Sequence, residues 1–165
     1  MTLSQARYAL AAACLLLAGG ARAAVTVDYV HAEEFSDMPR APYQRQQALD
    51  DFAEHFRKLG ASLRPGEDLA IEVLDIDLAG REEPNRFGGD EIRVIRGGAD
   101  WPRMRLRYTL SGQGRTIASG EAQLADQNYR TRINSYPSDA RWPYEKQMID
   151  EWWRKTILPV EKAGR

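Results

Sequence analysis

The sequence predicts a single α+β domain in which a mixed, mostly antiparallel sheet of four to five strands carries two helices on one face. Two segments have the apolar spacing of amphipathic helices, and four alternate apolar and polar residues as half-buried strands do. The predicted order is strand, helix, long strand, short strand, two-strand hairpin and helix. One helix between the first two major strands, followed by a meander, favours helices on one side of a mixed sheet.

Residues 1–23 are predicted to be a secretory signal peptide, which precedes the fold. Arg7 supplies a positive start, residues 8–18 form a short apolar run, and Ala21 and Ala23 are the small residues of a cleavage site. The run is short for a membrane span, so an uncleaved anchor is the less favoured alternative. We therefore expect cleavage near Ala23/Ala24 and a periplasmic or secreted protein with no membrane span after cleavage.

The composition of residues 24–165 restricts the chemistry of the expected mature domain. Its 142 residues are enough for one domain with a real core. Loss of Arg7 and Arg22 moves the formal net charge from −1 to −3, which gives no indication of nucleic-acid binding. The only cysteine, Cys14, leaves with the signal and lies within its apolar run, which argues against lipid attachment there. A disulfide, a cysteine nucleophile and a cysteine metal site are therefore excluded from the mature chain.

The first predicted elements are a strand over 25–30 and a helix over 43–59. The strand alternates apolar residues, and the helix repeats apolar residues at helical spacing while charged residues fall on the opposite face. Gly60 is well placed to end the helix. Residues 65–66, Pro-Gly, predict a turn into the next strand.

The central strand is predicted over 69–78, and the other elements are expected to pack on it or pair with it. Apolar residues alternate at 69, 71 and 73 and again at 74, 76 and 78, so the phase slips by one between Val73 and Leu74. A β-bulge there would restore the phase. Residues 79–102 then form a long irregular connection, in which 91–96 is expected to be a short edge strand.

A hairpin is predicted from strands over 103–110 and 115–124. Pairing Tyr108 with Ala118 sets large residues opposite small ones beneath a helix, and it places Arg105 opposite Glu121. It leaves a three-residue loop, 112–114, in which Gly114 supplies the left-handed conformation.

The last predicted element is a helix over 144–158, which follows another long loop over 126–142. Pro143 suits its first turn. The helix is expected to bury Met148, Ile149 and Trp152, and part of Trp153.

Seven segments, taken in order, resemble a bacterial family catalogued as domain of unknown function 3016. They are LDIDLAGR at 74–81, IRVIR at 92–96, DWPR at 100–103, RYTL at 107–110, ASGE at 118–121, LADQNY at 124–129 and YEK at 144–146. The resemblance covers nearly the whole mature chain. It implies a secreted or envelope-located bacterial protein of unknown activity, and it supplies no catalytic residues.

An arginine stripe is the most informative functional feature of the sequence. Arg103, Arg105 and Arg107 would line one face of the sheet, with Arg81, Arg93 and Arg96 in the preceding loop. Arginine forks suit carboxylates and phosphates. Trp101 and Tyr129 add aromatic surface in neighbouring loops. One reading is a face that grips an anionic envelope protein segment or a glycan. The favoured reading is a solvated face that nearby acids, among them Asp75 and Asp77, neutralise.

Metal binding and catalysis have no specific motif to support them. His31 lies near Glu33 and Glu34, and His55 is on a polar helix face, but two separate histidines are expected to be ordinary surface residues. No serine has the surroundings of a known nucleophile, and no glycine pattern indicates a nucleotide. We therefore predict no catalytic residue, no metal and no cofactor.

Two function classes remain open. The first, which we favour, is a non-catalytic binding or accessory module that uses the arginine-rich face and the 79–102 loop. The second is a small hydrolase of envelope polymers with carboxylates among Glu82, Glu83, Asp90 and Asp126. A hydrolase should present a deep cleft with converging acids of shifted pKa, whereas a binding module should present a shallow face or loop rim.

Overall fold

A four-stranded sheet and a separate two-stranded hairpin form the β structure of the protein, seen in a computed structural model that describes residues 23–89 and 91–163. The predicted signal peptide lies outside the described residues, apart from Ala23. The strands are β1 Ala24–Tyr29, β2 Glu67–Asp77, β3 Arg81–Glu83, β4 Ile92–Val94, β5 Arg103–Gly112 and β6 Arg115–Ala125. The helices are α1 Pro42–Leu59, α2 Pro143–Trp152 and α3 Leu158–Ala163.

The main sheet has the order β1-β2-β5-β6, with β1 parallel to β2 and the other pairs antiparallel. This confirms the predicted mixed α+β architecture. The short strand predicted over 91–96 is present as β4, but it pairs with β3 instead of joining the main sheet. Among the described residues, strand β6 pairs only with β5, so its other side is a free edge in this part of the chain.

The predicted bulge lies in the central strand. Val73 pairs with Leu106 and Asp75 with Arg105, so Leu74 is the extra residue. Before it, Val73 points into the core, and after it Ile76 does the same. The bulge thus keeps both halves of β2 buried on one face.

Helix α1 packs its apolar stripe on this face, as its spacing predicts. Leu49, Phe52 and Phe56 are buried in the core. At its end, a Cβ on Gly60 would lie 2.3 Å from Cγ2 of Val25, so a residue without a side chain is needed where the helix meets β1.

The final helix is longer and less regular than the sequence predicts. A π-helical turn, Trp153–Ile157, joins α2 to α3. Trp153 is fully buried and not merely in part, and Trp152 is 7% exposed. Such turns accommodate an additional residue within an α-helix.

The predicted hairpin register is wrong by two residues. Tyr108 pairs with Gly120, and Arg107, not Arg105, lies opposite Glu121. The loop has two residues, Gln113 and Gly114, with φ of 52° and 73°. Both residues of this tight turn are left-handed, which matches the twist of the strands and confirms the positive φ expected at Gly114.

An irregularity after the turn explains why the face assignment still holds. The pairing shifts between Leu110 and Ser111, because Ile117 is an extra residue in β6. A displacement of two residues leaves every side chain on its predicted face. Tyr108 consequently covers Gly120, whose Cβ would lie 3.3 Å from the phenol ring.

Replacing Trp152 tests the packing of the helices on the sheet. Its ring contacts Phe56, Tyr108 and Trp153 at centroid distances of 6.2, 5.6 and 6.2 Å. We expect Trp152→Ala to lower the free energy of unfolding by roughly 3–5 kcal/mol, measured by urea denaturation, because a large cavity remains. The half-exposed Trp101 gives the matched control, and Trp101→Ala should cost about 1 kcal/mol or less. Equal losses would contradict this packing.

Candidate binding cleft

The arginine stripe lies on the outer face of the sheet, where neighbouring acids neutralise most of it. Arg103 donates from Nε to Asp77 at 2.8 Å and also through Nη2. Arg107 is 2.5 Å from Glu72 and 3.9 Å from Glu121. Of the three arginines of the stripe, only Arg105 has no ion pair among the described residues. Asp75, which lies opposite it, instead accepts two hydrogen bonds from Ser36, each 2.8 Å long. The stripe is therefore not a concentrated anion site.

The remaining candidates do not join the stripe to form one surface. Trp101 is half-buried, with the guanidinium of Arg103 5.2 Å from its ring centroid. Arg81 is exposed and lies 3.3 Å from Glu83 in the small hairpin. Tyr129 is 3% exposed, and it donates to Asp100 at 2.9 Å. Because it is buried, its ring offers no aromatic surface. Burial, with Asp100 beside it, also raises the pKa of Tyr129 to about 12.

A cleft opens between the β3–β4 hairpin, the first turns of α1 and the residues before α2, and we call it the hairpin cleft. Its volume is about 510 Å³, and it is open to solvent along one side. Its lining is chiefly polar side chains around one indole: Pro39, Gln44, Gln47, Glu82, Glu91, Arg93, Arg141 and Trp142.

Arg93 fixes the hairpin wall of the cleft. Its guanidinium donates to both carboxylate oxygens of Asp37, at 2.7 and 3.4 Å, and to the carbonyl of Ala79 at 3.4 Å. The amide of Ala79 donates to the buried Glu145 at 2.7 Å. Burial raises the pKa of Glu145, with the Ala79 amide acting in the opposite direction. The hairpin is thus attached both to the segment after β1 and to α2.

Trp142 forms the opposite wall. Its backbone has φ of 57°, which turns the chain sharply before α2. Its Nε1 donates to Asp51 of α1 at 3.0 Å, and its ring lies 5.9 Å from that of Phe52. Arg141 also contacts Asp51, at 3.2 Å. The half-buried indole is therefore held in one orientation before any ligand arrives.

Two carboxyl groups meet at the rim of the cleft. Arg40 binds both Glu82 and Glu91: its backbone amide donates to Glu82 at 3.2 Å and its guanidinium to Glu91 at 2.9 Å. Burial raises the pKa of Glu82, and so does the neighbouring Glu91, whereas the Arg40 amide lowers it.

The other acids considered for hydrolysis do not converge with this pair. Glu83 contacts Arg81 at 3.3 Å and Arg96 at 2.7 Å. Asp126 is 5% exposed and contacts Arg132 at 3.2 Å. Asp90 lies outside the described residues. Glycoside hydrolysis needs two carboxyl groups roughly 5–9 Å apart on either side of the sugar, whereas Glu82 and Glu91 are close enough for Glu91 to raise the pKa of Glu82.

The two histidines differ in their surroundings, and the expectation of two surface residues is wrong for His55. Its side chain is buried, and Nε2 lies 2.8 Å from Asp150 of α2, which also accepts the hydroxyl of Tyr136 at 2.7 Å. His55 thus links the two helices. His31 is exposed, and with Glu33 and Glu34 it can bring three ligand atoms within 4.8 Å of one another, all on exposed side chains.

A second groove, of about 470 Å³, runs between β6 and the end of α2. Across it Arg132 contacts Asp126 and, at 2.5 Å, Glu151. Glu151 also contacts Lys155 at 2.6 Å. Lys155 and Arg132 lower the pKa of Glu151 to about 2. These charges satisfy one another, so the groove is held together by its own ion pairs.

The ion pairs of Glu151 give a pH-dependent test. Because the folded pKa lies below the ordinary 4.5, the carboxylate stabilises the fold above about pH 4.5 and loses this effect as the pH falls towards 2. We expect Glu151→Gln to cost about 1–3 kcal/mol at neutral pH and progressively less in acid, measured by denaturant unfolding. Glu54→Gln, in an exposed pair with Lys58, is the control and should change stability little at any pH. A cost of Glu151→Gln that does not vary with pH would contradict the assigned pairs.

The sequence did not indicate that the residues lining the hairpin cleft would lie together. Gln44, Gln47 and Trp142 come from segments predicted as a helix face and a loop, and nothing in their spacing links them to the hairpin. Arg93 and Glu91 lie within the segment predicted as an edge strand. The length of the 79–102 connection was the one usable signal, because long connections often carry function.

Comparison with known proteins identifies a family but no activity. The family model described as "Protein of unknown function (DUF3016)" matches residues 23–155. No curated protein matches the chain. A crystal structure of a Xanthomonas campestris protein, matched by the DUF330 family model, is 12% identical, with 89% of this chain and 91% of that chain covered at a TM-score of 0.41. Within the described residues, no helix combines the length and apolarity that crossing a bilayer requires.

Proposed function

This chain belongs to the DUF3016 family of proteins of unknown function, and we propose that it is a non-catalytic binding protein that holds a glycan in the hairpin cleft. One observation carries the proposal. Hydrogen-bonding side chains from three separate parts of the chain converge around a fixed indole in a cleft of about 510 Å³. Ligand sites characteristically combine apolar or aromatic surface with a few placed polar groups.

The chemistry of the lining suits a sugar. The amide of Gln47 and the carboxyl groups of the rim can donate to and accept from adjacent hydroxyls. The indole of Trp142 offers an apolar surface to the C–H face of a ring. Arg93 and Arg141 are already paired with Asp37 and Asp51, so the cleft does not favour a strongly anionic ligand.

The arrangement of the acids supports binding over hydrolysis. An acid and a base that act on opposite sides of a scissile bond must be separated by the sugar. Glu82 and Glu91 lie on one side of the cleft, and the carboxylate of Asp51 on the opposite wall is already bound by Trp142 and Arg141.

We further propose that the protein is exported and acts in the periplasm or outside the cell. The signal-like segment over residues 1–23 supports this. We expect the mature protein in the soluble periplasmic fraction, beginning at Ala24 by N-terminal sequencing. An intact N-terminus on a membrane-bound protein would contradict the proposal.

The glycan proposal is tested by titrating the purified protein with soluble chitin and peptidoglycan fragments, followed by calorimetry and by the NMR signals of the indole N–H groups. We expect saturable binding that shifts the Trp142 signal. Gln47→Ala should weaken binding about 3- to 10-fold, because one hydrogen bond is lost. Fragment lengths after prolonged incubation, measured by mass spectrometry, should be unchanged.

Gln46→Ala is the matched control, since Gln46 lies beside Gln47 on α1 but bonds Asp50 outside the cleft, at 2.9 Å. It should bind as the unchanged protein does. Absence of binding to any fragment, or equal losses in the two variants, would overturn the proposal. Shortened fragments that no longer appear with Glu91→Gln would establish the hydrolase instead.

A further inference from the structure

The free side of β6 exposes a row of backbone hydrogen-bonding groups. In an antiparallel ladder, alternate opposed pairs exchange their backbone hydrogen bonds, and the residues between them direct their N–H and C=O groups the other way. The amide of Asp126 donates to the carbonyl of Pro102 at 3.2 Å, so the register places Gly120, Ala122 and Leu124 in bonded pairs with β5. The groups directed to the free edge belong to four exposed residues, Ser119, Glu121, Gln123 and Ala125. We call their N–H groups the edge amides.

The groove of about 470 Å³ between β6 and the end of α2, which we call the edge groove, adjoins this row. Gln123 and Ala125 form part of its wall, and the apolar side chains of Leu124, Met148 and Trp152 also line it. Within the described part of the chain, the edge amides have no backbone partner. The groove therefore offers a ligand unpaired strand backbone along one wall and apolar surface beside it.

Trp152 gives an independent indication of a ligand. It lines the edge groove and is 7% exposed, yet its Nε1 has no hydrogen-bond partner among the described residues. By contrast, Nε1 of Trp153 donates to Ser62 at 3.0 Å, and Nε1 of Trp142 donates to Asp51 at 3.0 Å. Most buried N–H groups have an acceptor, because a buried donor without one costs free energy. An acceptor carried into the groove would satisfy this donor.

We propose that the edge groove binds an extended peptide segment of another protein, which adds to β6 as a further strand of the main sheet. An extended backbone presents its donors and acceptors at the two-residue repeat of the free edge, about 6.8 Å. Its side chains alternate between the two faces, so apolar residues at every second position would face Met148 and Trp152. The site is separate from the hairpin cleft, and the inference does not depend on the glycan proposal.

Charge complementarity specifies the peptide further. Glu121 is the only charged residue in the stretch 118–125. It is exposed and lies 3.9 Å from Arg107, which is closer, at 2.5 Å, to Glu72. A lysine or arginine opposite Glu121 on the added strand would pair with it, whereas a second copy of this stretch has no basic residue to offer. The partner segment therefore combines alternating apolar residues with a basic residue between two of them.

The experiment uses a synthetic heptapeptide, TVKVTVT, with both ends blocked, whose valines alternate and whose lysine can face Glu121. The peptide is titrated into the full protein and followed by NMR and by amide hydrogen exchange. We expect saturable binding that protects the edge amides from exchange and shifts the indole N–H signal of Trp152. The indole signal of Trp142, in the hairpin cleft, should not move.

Two changed peptides isolate the interactions. TVEVTVT should bind about threefold more weakly or worse, because two carboxylates then oppose each other across the strands. TVKVPVT should not bind measurably, because its proline removes an N–H group that would be directed at β6 and obstructs strand pairing.

Two protein variants test the place of the charge. Glu121→Lys should reverse the preference, so that TVEVTVT binds more tightly than TVKVTVT. Asp28→Lys is the matched control, since Asp28 is also an exposed acid but lies on β1, at the opposite edge of the sheet. It should leave the preference unchanged. Because exchange is measured on the unchanged protein, the test remains decisive even if one variant fails to fold.

Each contrary outcome overturns the inference in a different way. Absence of saturable binding, or equal binding of TVKVPVT, excludes strand addition. Protection of the β1 amides, or a shift of the Trp142 signal alone, places the peptide elsewhere. Protection of the edge amides that increases with protein concentration in the absence of peptide assigns the edge to a second copy. None of these results alters the outcome of the glycan titration, so the two proposals fail separately.

Discussion

The bulge at Leu74 is the constraint on which the rest of the structure depends. It lets β2 bury Val73 before the extra residue and Ile76 after it, so both halves of the strand contribute to the core in which the helices pack. It also brings Asp77 to the outer face at the end of the strand, where Asp37 forms a bridge beside it. The Asp37 amide donates to Ile76 at 3.0 Å, and its carbonyl accepts from Leu78 at 3.3 Å. The backbone of Asp37 is therefore fixed by the strand that the bulge realigns.

Asp37 connects the central strand to the hairpin cleft. Its backbone is bound to the central strand, and its carboxylate holds Arg93 of the small hairpin. The hairpin itself makes no ladder with the main sheet, so side chains must determine its position. Arg93 and the buried Glu145 meet at Ala79, the residue that leads from the main sheet into the hairpin. The wall of the cleft is a three-residue ladder at the surface, and contacts to residues of the core hold it in place.

Elements that have a periodic pattern of apolar residues were predicted from the sequence, whereas contacts between residues far apart in the chain were not. Alternation in β2 was sufficient for the bulge, and helical spacing was sufficient for α1, because each signal is local. The predicted hairpin register was wrong because the chain uses a two-residue turn, Gln113 and Gly114, with Ile117 as an extra residue in β6, and the glycine at 114 suits this turn as well as a three-residue loop. His55 looked like a surface residue because its charged neighbours lie on its own helix, whereas Asp150 is 95 positions away.

The same limit applies to the functional site. The arginine stripe is visible in the sequence because its members alternate along one strand, yet Asp77 and Glu72 of the adjacent strand largely neutralise it. The cleft draws Gln47, Glu82 and Trp142 from segments that share no periodic pattern, and only the fold brings them together. Signals confined to one element therefore found the elements but not the site between them.

The free edge of β6 has a consequence for the protein at high concentration. A strand with one unpaired side can template another chain, and aggregation by edge-to-edge pairing follows unless the edge is blunted. In β6 the extra residue Ile117 distorts the end next to the turn, but Ala118–Ala125 contains neither proline nor lysine. Glu121 is the only charged side chain in that stretch, and two antiparallel copies in the register that sets Glu121 opposite Glu121 would bring like charges together. One carboxylate is therefore the main charge that blunts this edge.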